Sequence, residues 1–389
     1  VVDYAEALVG KNYGYYVAWF VEAVYLPAMT GVLAWVSARY TLVFANSVIP
    51  ALAENPINPV VSHECMVITL VYMILTYVLN SLAPKLAGKY QVATTIIKLI
   101  PLILLGVVGV IVGLANGTLV GNFAYVPAAV DGQAQSSVMS LFFAGIVSTA
   151  FAYEGWIIAT SINAEIKNAK KNLPIALTIG TLIVMAICVL YNLGFAGSAP
   201  MSELLVGGAD LAFSRLFGSG IGAVLNLFVA ISCLGTLNGL MLACTRGAYT
   251  MAARNRGPKV EFFNQVDEAS NMPTNSSIIG LFYVMFWFFY FYAGNLAGWF
   301  GPYGFDSSEL PIITIYAMYV PVFIAFMIKG KEFGFFKRFV IPFLAICGSL
   351  FTVYAAIVSH KISVVYYLIV FAIFMLIGYV ADRKNRKAQ

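Results

Sequence analysis

Ten apolar stretches, each close to the 20 residues that a helix needs to cross a hydrocarbon layer, follow one another along this 389-residue chain with short polar loops between them. That succession leaves few folds open. In hydrocarbon every backbone N–H and C=O must find a partner within the protein, so the stretches are expected to be membrane-spanning helices. Span A runs about Gly14 to Phe44, B His63 to Leu82, C Tyr90 to Leu114, D Ser137 to Asn163 and E Leu173 to Phe195. F runs about Ile221 to Ala253, G Ser277 to Trp299, H Leu310 to Ile328, I Phe339 to Val358 and J Ile362 to Val380. Only 10% of the residues are charged, far below the roughly one quarter of a soluble domain.

The charges that remain are placed asymmetrically. Lys11; Lys85 and Lys89; Lys167, Lys170 and Lys171; Arg254, Arg256 and Lys259; Lys329, Lys331, Lys337 and Arg338; and the tail Arg383, Lys384, Arg386 and Lys387 all fall on one side if the spans alternate. The opposite loops hold little beyond Arg215 and Lys361, with Arg39 near a helix end. Cytoplasmic loops carry the excess of Lys and Arg, so the C-terminus is expected in the cytoplasm of a plasma (inner) membrane protein and span A runs outward. Basic residues scattered in this way are not a nucleic-acid face. The five cysteines lack CxxC spacing and read as small buried hydrophobes, although Cys65 stands near enough to a span end to reach a second subunit. The two histidines stand apart, no HExxH or GxSxG occurs, and neither a metal, a cofactor nor an enzymatic centre is expected.

Within span D the run Phe151, Ala152, Tyr153, Glu154, Gly155 and Trp156 interrupts an apolar helix with a carboxylate, a glycine and aromatics. A break at that depth is tolerated where it is buried in protein or lines a wet cavity, and the half-helix ends would hold a small ion or zwitterion. A continuous helix with Glu154 reaching for the interface is the alternative. Lys98 in span C and Glu22 in span A are ionisable groups at membrane depth, hence candidates for coupling, and they pair if A and C touch. Cys233, Thr236 and Asn238 put a small polar face on span F, suited either to packing or to lining a pathway. The aromatic run Phe286 to Tyr292 in span G is expected to face lipid. A and F are both unusually long, and the trios ABC and FGH have opposite orientations, the pattern of an inverted repeat. The partners of D and E would precede A, so the chain is expected to lack about 60 to 75 residues, two spans' worth, before Val1.

Four stretches resemble the amino-acid permeases of the amino acid-polyamine-organocation superfamily, above all the L-amino-acid-transporter-like exchangers and their bacterial relatives. Tyr4-Ala5-Glu6 is similar to the YAE that ends the family's second helix, and Phe151 to Trp156 to its sixth-helix break. Glu165-Ile166-Lys167-Asn168 with Asn172-Leu173-Pro174 resembles the loop that follows, and Ser232 to Gly239 the eighth helix. The resemblance implies an all-α, twelve-helix, five-plus-five inverted-repeat (LeuT-like) fold of which A to J are helices three to twelve. Residues 1–135 would be the remainder of the first repeat, 136–330 the second, and 331–389 two closing helices with a basic tail. It further implies an amino acid bound under Phe151, its ammonium on the backbone of Phe151, Ala152 and Tyr153, and Lys98 as a fixed substitute for sodium. A sodium-independent exchanger without a heavy-chain partner is expected, with a proton-coupled permease as the other reading. Glu154, Ile157 and Ala169 depart from the family's Gly or Asp, Asn and Pro, and the first two, which flank the site, leave the substrate's side-chain class open.

Overall fold

The computed structural model describes residues 1–125, 138–153, 155, 168–267 and 272–388. Among them nine helices are long and apolar enough to cross a membrane, and the short apolar helix of span D is a tenth segment. After α1 (Val2–Leu8) come α2 (Lys11–Val48), α3 (His63–Leu82), α4 (Pro84–Ile97) and α5 (Leu99–Ala115). Helix α6 is Val138–Ala152 and α7 is Ala169–Ser198. A helical stretch then covers Met201–Ala252, with left-handed breaks at Gly208 and Gly218, and its long final part, 219–252, is α8. The set closes with α9 (Thr274–Leu296), α10 (Leu310–Lys329), α11 (Phe336–His360) and α12 (Ser363–Ala388).

Helix starts follow from capping chemistry. The Ser62 hydroxyl accepts the Cys65 amide at 3.1 Å, so α3 begins at His63 as its sequence implies. Prolines decide the interruptions. Pro27 brings no N–H to α2 and crowds the carbonyl four residues back, and there the helix widens to a π turn over Val21–Tyr25. The carbonyl it orphans, that of Ala23, is taken by the Trp287 indole N–H at 2.7 Å. Pro101 acts likewise on the Ile97 carbonyl, and the chain breaks into α4 and α5 at Lys98.

The core is built around α2, 94% buried over its most apolar window, which is the reverse of a lipid-facing helix. Helix α8 lies along it, with the Thr30 hydroxyl 3.3 Å from the Cys244 thiol. Helix α9 lies beside it, with Gly31 against Phe288 and Trp35 edge-on to Phe291. Trp287, Phe288 and Phe291 are therefore core, while Phe286 and Phe289 are exposed, so the aromatic run divides between protein and lipid. At the other end of α2, the Tyr15 hydroxyl and the Trp19 indole donate to the Gly378 and Phe374 carbonyls of α12 at 2.9 and 2.8 Å. Cys65 is buried with its thiol on the Pro59 carbonyl at 3.2 Å, which closes it to a second subunit.

Helices α5 and α7 meet through glycine. Gly106, Gly109 and Gly113 face Leu190, Gly194 and Gly197 so closely that a methyl at Gly109 or Gly194 would overlap opposing backbone. Lipid tails are as apolar as leucine, so close backbone approach, and not solvent exclusion, holds such pairs together. Gly109→Leu should lower the thermal unfolding midpoint of the purified protein, by overpacking of about 1–3 kcal/mol. Gly121→Ala, where a methyl meets open space, should leave the midpoint unchanged.

Candidate functional site: the end of the sixth helix and the buried ionisable groups

Helix α6 stops at Ala152, Tyr153 makes a last turn with its N–H on the Thr149 carbonyl at 3.2 Å, and Gly155 takes φ +109°, a conformation that L side chains rarely adopt. The helix thus ends at the run singled out in the sequence. Phe151 is half-buried against the main core, Ala152 is exposed, and Tyr153 opens onto a groove of about 550 Å³. Leu177, Thr178, Thr181 and Leu182 of α7 and Tyr316 of α10 form its other walls. Both threonine hydroxyls bond back to their own helix, on the Pro174 and Leu177 carbonyls. Tyr153 and Tyr316 bring aromatic rings with polar tips to an otherwise apolar groove. Glu154, Trp156 and Ile157 lie outside the described residues.

Helix α8 serves as a ruler for the two buried charges. Gly247 is opened by the Glu22 carboxyl, which occupies the place a methyl would take, whereas Gly235 is opened by Thr94 of α4. The two contacts are 12 residues apart on α8, about 18 Å at 1.5 Å per residue. Since α4 runs antiparallel to α8, Lys98 stands one turn farther still from Glu22, level with Ile231 and Ser232. Lys98 and Glu22 are not brought together, and the pairing expected if spans A and C touched is not made. Lys98 is half-buried at the α4–α5 junction and forms no ion pair among the described residues. Glu22 is 2% exposed, sits in the π turn, and has no cation paired with it among the described residues. Such turns recur at functional sites, as do carboxyls at membrane depth.

The polar face of span F divides. The Asn238 amide accepts from Asn80 Nδ2 at 3.0 Å and donates to the Ala87 carbonyl and to Gln91 Oε1, both at 3.3 Å, so it clasps α3 and α4 to α8. Thr236 is exposed with its hydroxyl on the Ser232 carbonyl, and Cys233 is half-buried against the core. Asn80 and Gln91 were not singled out in the sequence. Their signal, an amide within each of two successive spans, is weak until a third amide is found between them.

A family model described as amino acid permease matches residues 1–380. The chain belongs to that family. It is an all-α, multi-pass membrane permease and not an enzyme. It is 28% identical over 371 residues to the serine/threonine exchanger SteT of Bacillus subtilis, covering 92% of this chain and 76% of the relative. Its identity to the human cystine/glutamate transporter is 27% over 66% of this chain and 48% of the relative. For the human b(0,+)-type amino acid transporter 1 it is 26% over 82% and 63%. This permease thus spans about half to three quarters of the length of these relatives.

The Glu22–Gly247 contact is testable by a double-mutant cycle. Gly247→Ala should destabilise the permease by about 1–3 kcal/mol through overpacking, and the cost should fall close to zero in a Glu22→Ala background. Thermal unfolding of the four proteins in detergent measures the coupling.

Proposed function

We propose that this permease carries out sodium-independent exchange of amino acids across the plasma membrane by alternating access, with the substrate bound at the end of α6. Family membership and the exchanger among its relatives support the transport class. The observation that carries sodium independence is Lys98, which forms no ion pair among the described residues and is held at a proline-made helix junction, one turn after the Thr94 that packs on α8. A fixed ammonium there supplies the positive charge that a sodium-coupled carrier would take from solution, so no ion gradient is needed. Residues 1–135 and 136–330 act as the two repeats that rock against each other, 331–389 close the bundle, and the basic tail faces the cytoplasm. Activity requires no accessory heavy chain. Purified protein alone in liposomes loaded with unlabelled neutral amino acids should take up labelled amino acid equally in sodium and in choline buffers. Lys98→Gln should reduce that rate at least tenfold, and a requirement for a sodium gradient in the unmutated protein would overturn the reading.

A second reading, proton-coupled uptake, is favoured by Glu22, a carboxyl enclosed at membrane depth with no cation paired to it among the described residues. Glu154 is a further carrier under this reading and a further determinant of preference for cationic substrates. Glu22→Gln and Glu154→Gln each keep the side-chain shape and remove the proton site. Under exchange, both variants keep the parent's pH profile. Under proton coupling, at least one loses the rise of uptake with external acidity, and a Glu154 that selects substrate charge shifts the neutral-to-cationic preference. Uptake measured across external pH with both substrate classes distinguishes these outcomes.

A further inference from the structure

The charged end of α12 forms one wall of a groove that the transport reading does not use. Leu376, Ile377, Val380 and Ala381 line it on α12, and Pro258 and Lys259 line it from the loop after α8, enclosing about 660 Å³. Its α12 wall from Leu376 to Lys384 spans eight helical rises, about 12 Å. The apolar end lies within the membrane span, whose apolar run gives way at Asp382. Lys259, Lys384 and Asn385 stand at the polar end.

Two features make this more than an exposed apolar face. The first is that its walls are tied together. Arg256 pairs with Asp382 at 2.7 and 3.0 Å and lies 4.9 Å from the Tyr15 ring centroid. The Gly257 amide donates to Asp382 at 3.4 Å, and Asn385 Nδ2 donates to the Asn255 carbonyl at 3.2 Å. The second is charge. Asp382 is buried and turned to Arg256, so its carboxylate pairs with a cation behind the wall. Lys259 and Lys384 are exposed and form no ion pair among the described residues. The result is an apolar slot in the hydrocarbon zone with two uncompensated ammonium groups at its interfacial mouth, a layout complementary to a lipid acyl chain below an anionic phosphodiester.

We propose that this groove is a binding site for an anionic glycerophospholipid of the leaflet around the α12 tail, one acyl chain lying along Leu376 to Ala381 and the headgroup phosphate between Lys259 and Lys384. An occupant there bridges α12 and the α8–α9 loop, adding to the Arg256–Asp382 tie.

The test uses the whole chain, purified and exposed to phosphatidylglycerol and phosphatidylcholine of identical acyl chains, with retained lipid counted by native mass spectrometry. The unmutated protein should retain phosphatidylglycerol at least fivefold over phosphatidylcholine. Lys259→Gln/Lys384→Gln should abolish the preference, and Ile377→Trp, which fills the slot, should lower retention of phosphatidylglycerol. Lys329→Gln/Lys331→Gln, which changes equal charge away from the groove, should leave the preference intact. A parallel reading, the rise in thermal midpoint in phosphatidylglycerol over phosphatidylcholine nanodiscs, should be lost in the Lys259/Lys384 variant and kept in the Lys329/Lys331 control. The proposal is overturned if the unmutated protein shows no preference or if the Lys259/Lys384 variant keeps it. It is likewise overturned if Ile377→Trp has no effect, if the Lys329/Lys331 control loses the preference equally, or if soluble glycerol phosphate displaces the bound lipid, since a free anion needs no slot.

Discussion

Hydrocarbon offers no hydrogen bonds, and each place where this chain departs from a plain helix is shaped by that deficit. Pro27 frees the Ala23 carbonyl, and Trp287 of α9 supplies the missing donor. The same exchange of donors brings α12 onto α2 through Tyr15 and Trp19, and α3 and α4 onto α8 through Asn80, Asn238 and Gln91. Solvent exclusion contributes little between helices inside a bilayer, so indole, phenol and amide groups reaching a neighbour's backbone act as its fasteners. The aromatic residues that a hydropathy profile assigns to lipid are therefore, in part, the ties of the core.

Around these ties the molecule is arranged on the α2–α8 pair. Glycine sets the spacing: Gly247 admits the Glu22 carboxyl, Gly235 admits Thr94, and Gly280 of α9 lies on the Cys244 backbone. A helix that yields its side chains at such points brings a buried carboxyl and a half-buried lysine near the same scaffold while keeping them far apart.

Much of this was legible in order. The spans, the position of the break at Phe151 to Gly155 and the family followed from hydropathy, from one glycine among aromatics and from four short motifs. The partition of Phe286 to Tyr292 was not legible, because a run of aromatics carries no record of which ring meets lipid. Nor were the glycine contacts between α5 and α7, whose spacing reads as ordinary membrane-helix composition until the opposing helix is known. Arg254 and Arg256 counted as topology signals, yet they are bound to Asp3 and Asp382. Their partners lie more than a hundred residues away in the chain, beyond the reach of any local pattern.

By itself the sequence determined that this protein lives in a membrane, that one apolar stretch is interrupted at a glycine among aromatics, and that it resembles the amino acid permeases. These follow from local chemistry: transfer of apolar side chains, a residue without Cβ, and four short motifs. The tertiary structure alone decided that Glu22 and Lys98 stand on distant turns of α8, that Asn238 is a clasp, and that Asp382 leaves two lysines uncompensated at an apolar slot. Each of those is a question of which backbone lies opposite which, and helix pairing is settled by close contacts among glycines, amides and indoles from segments far apart in the chain.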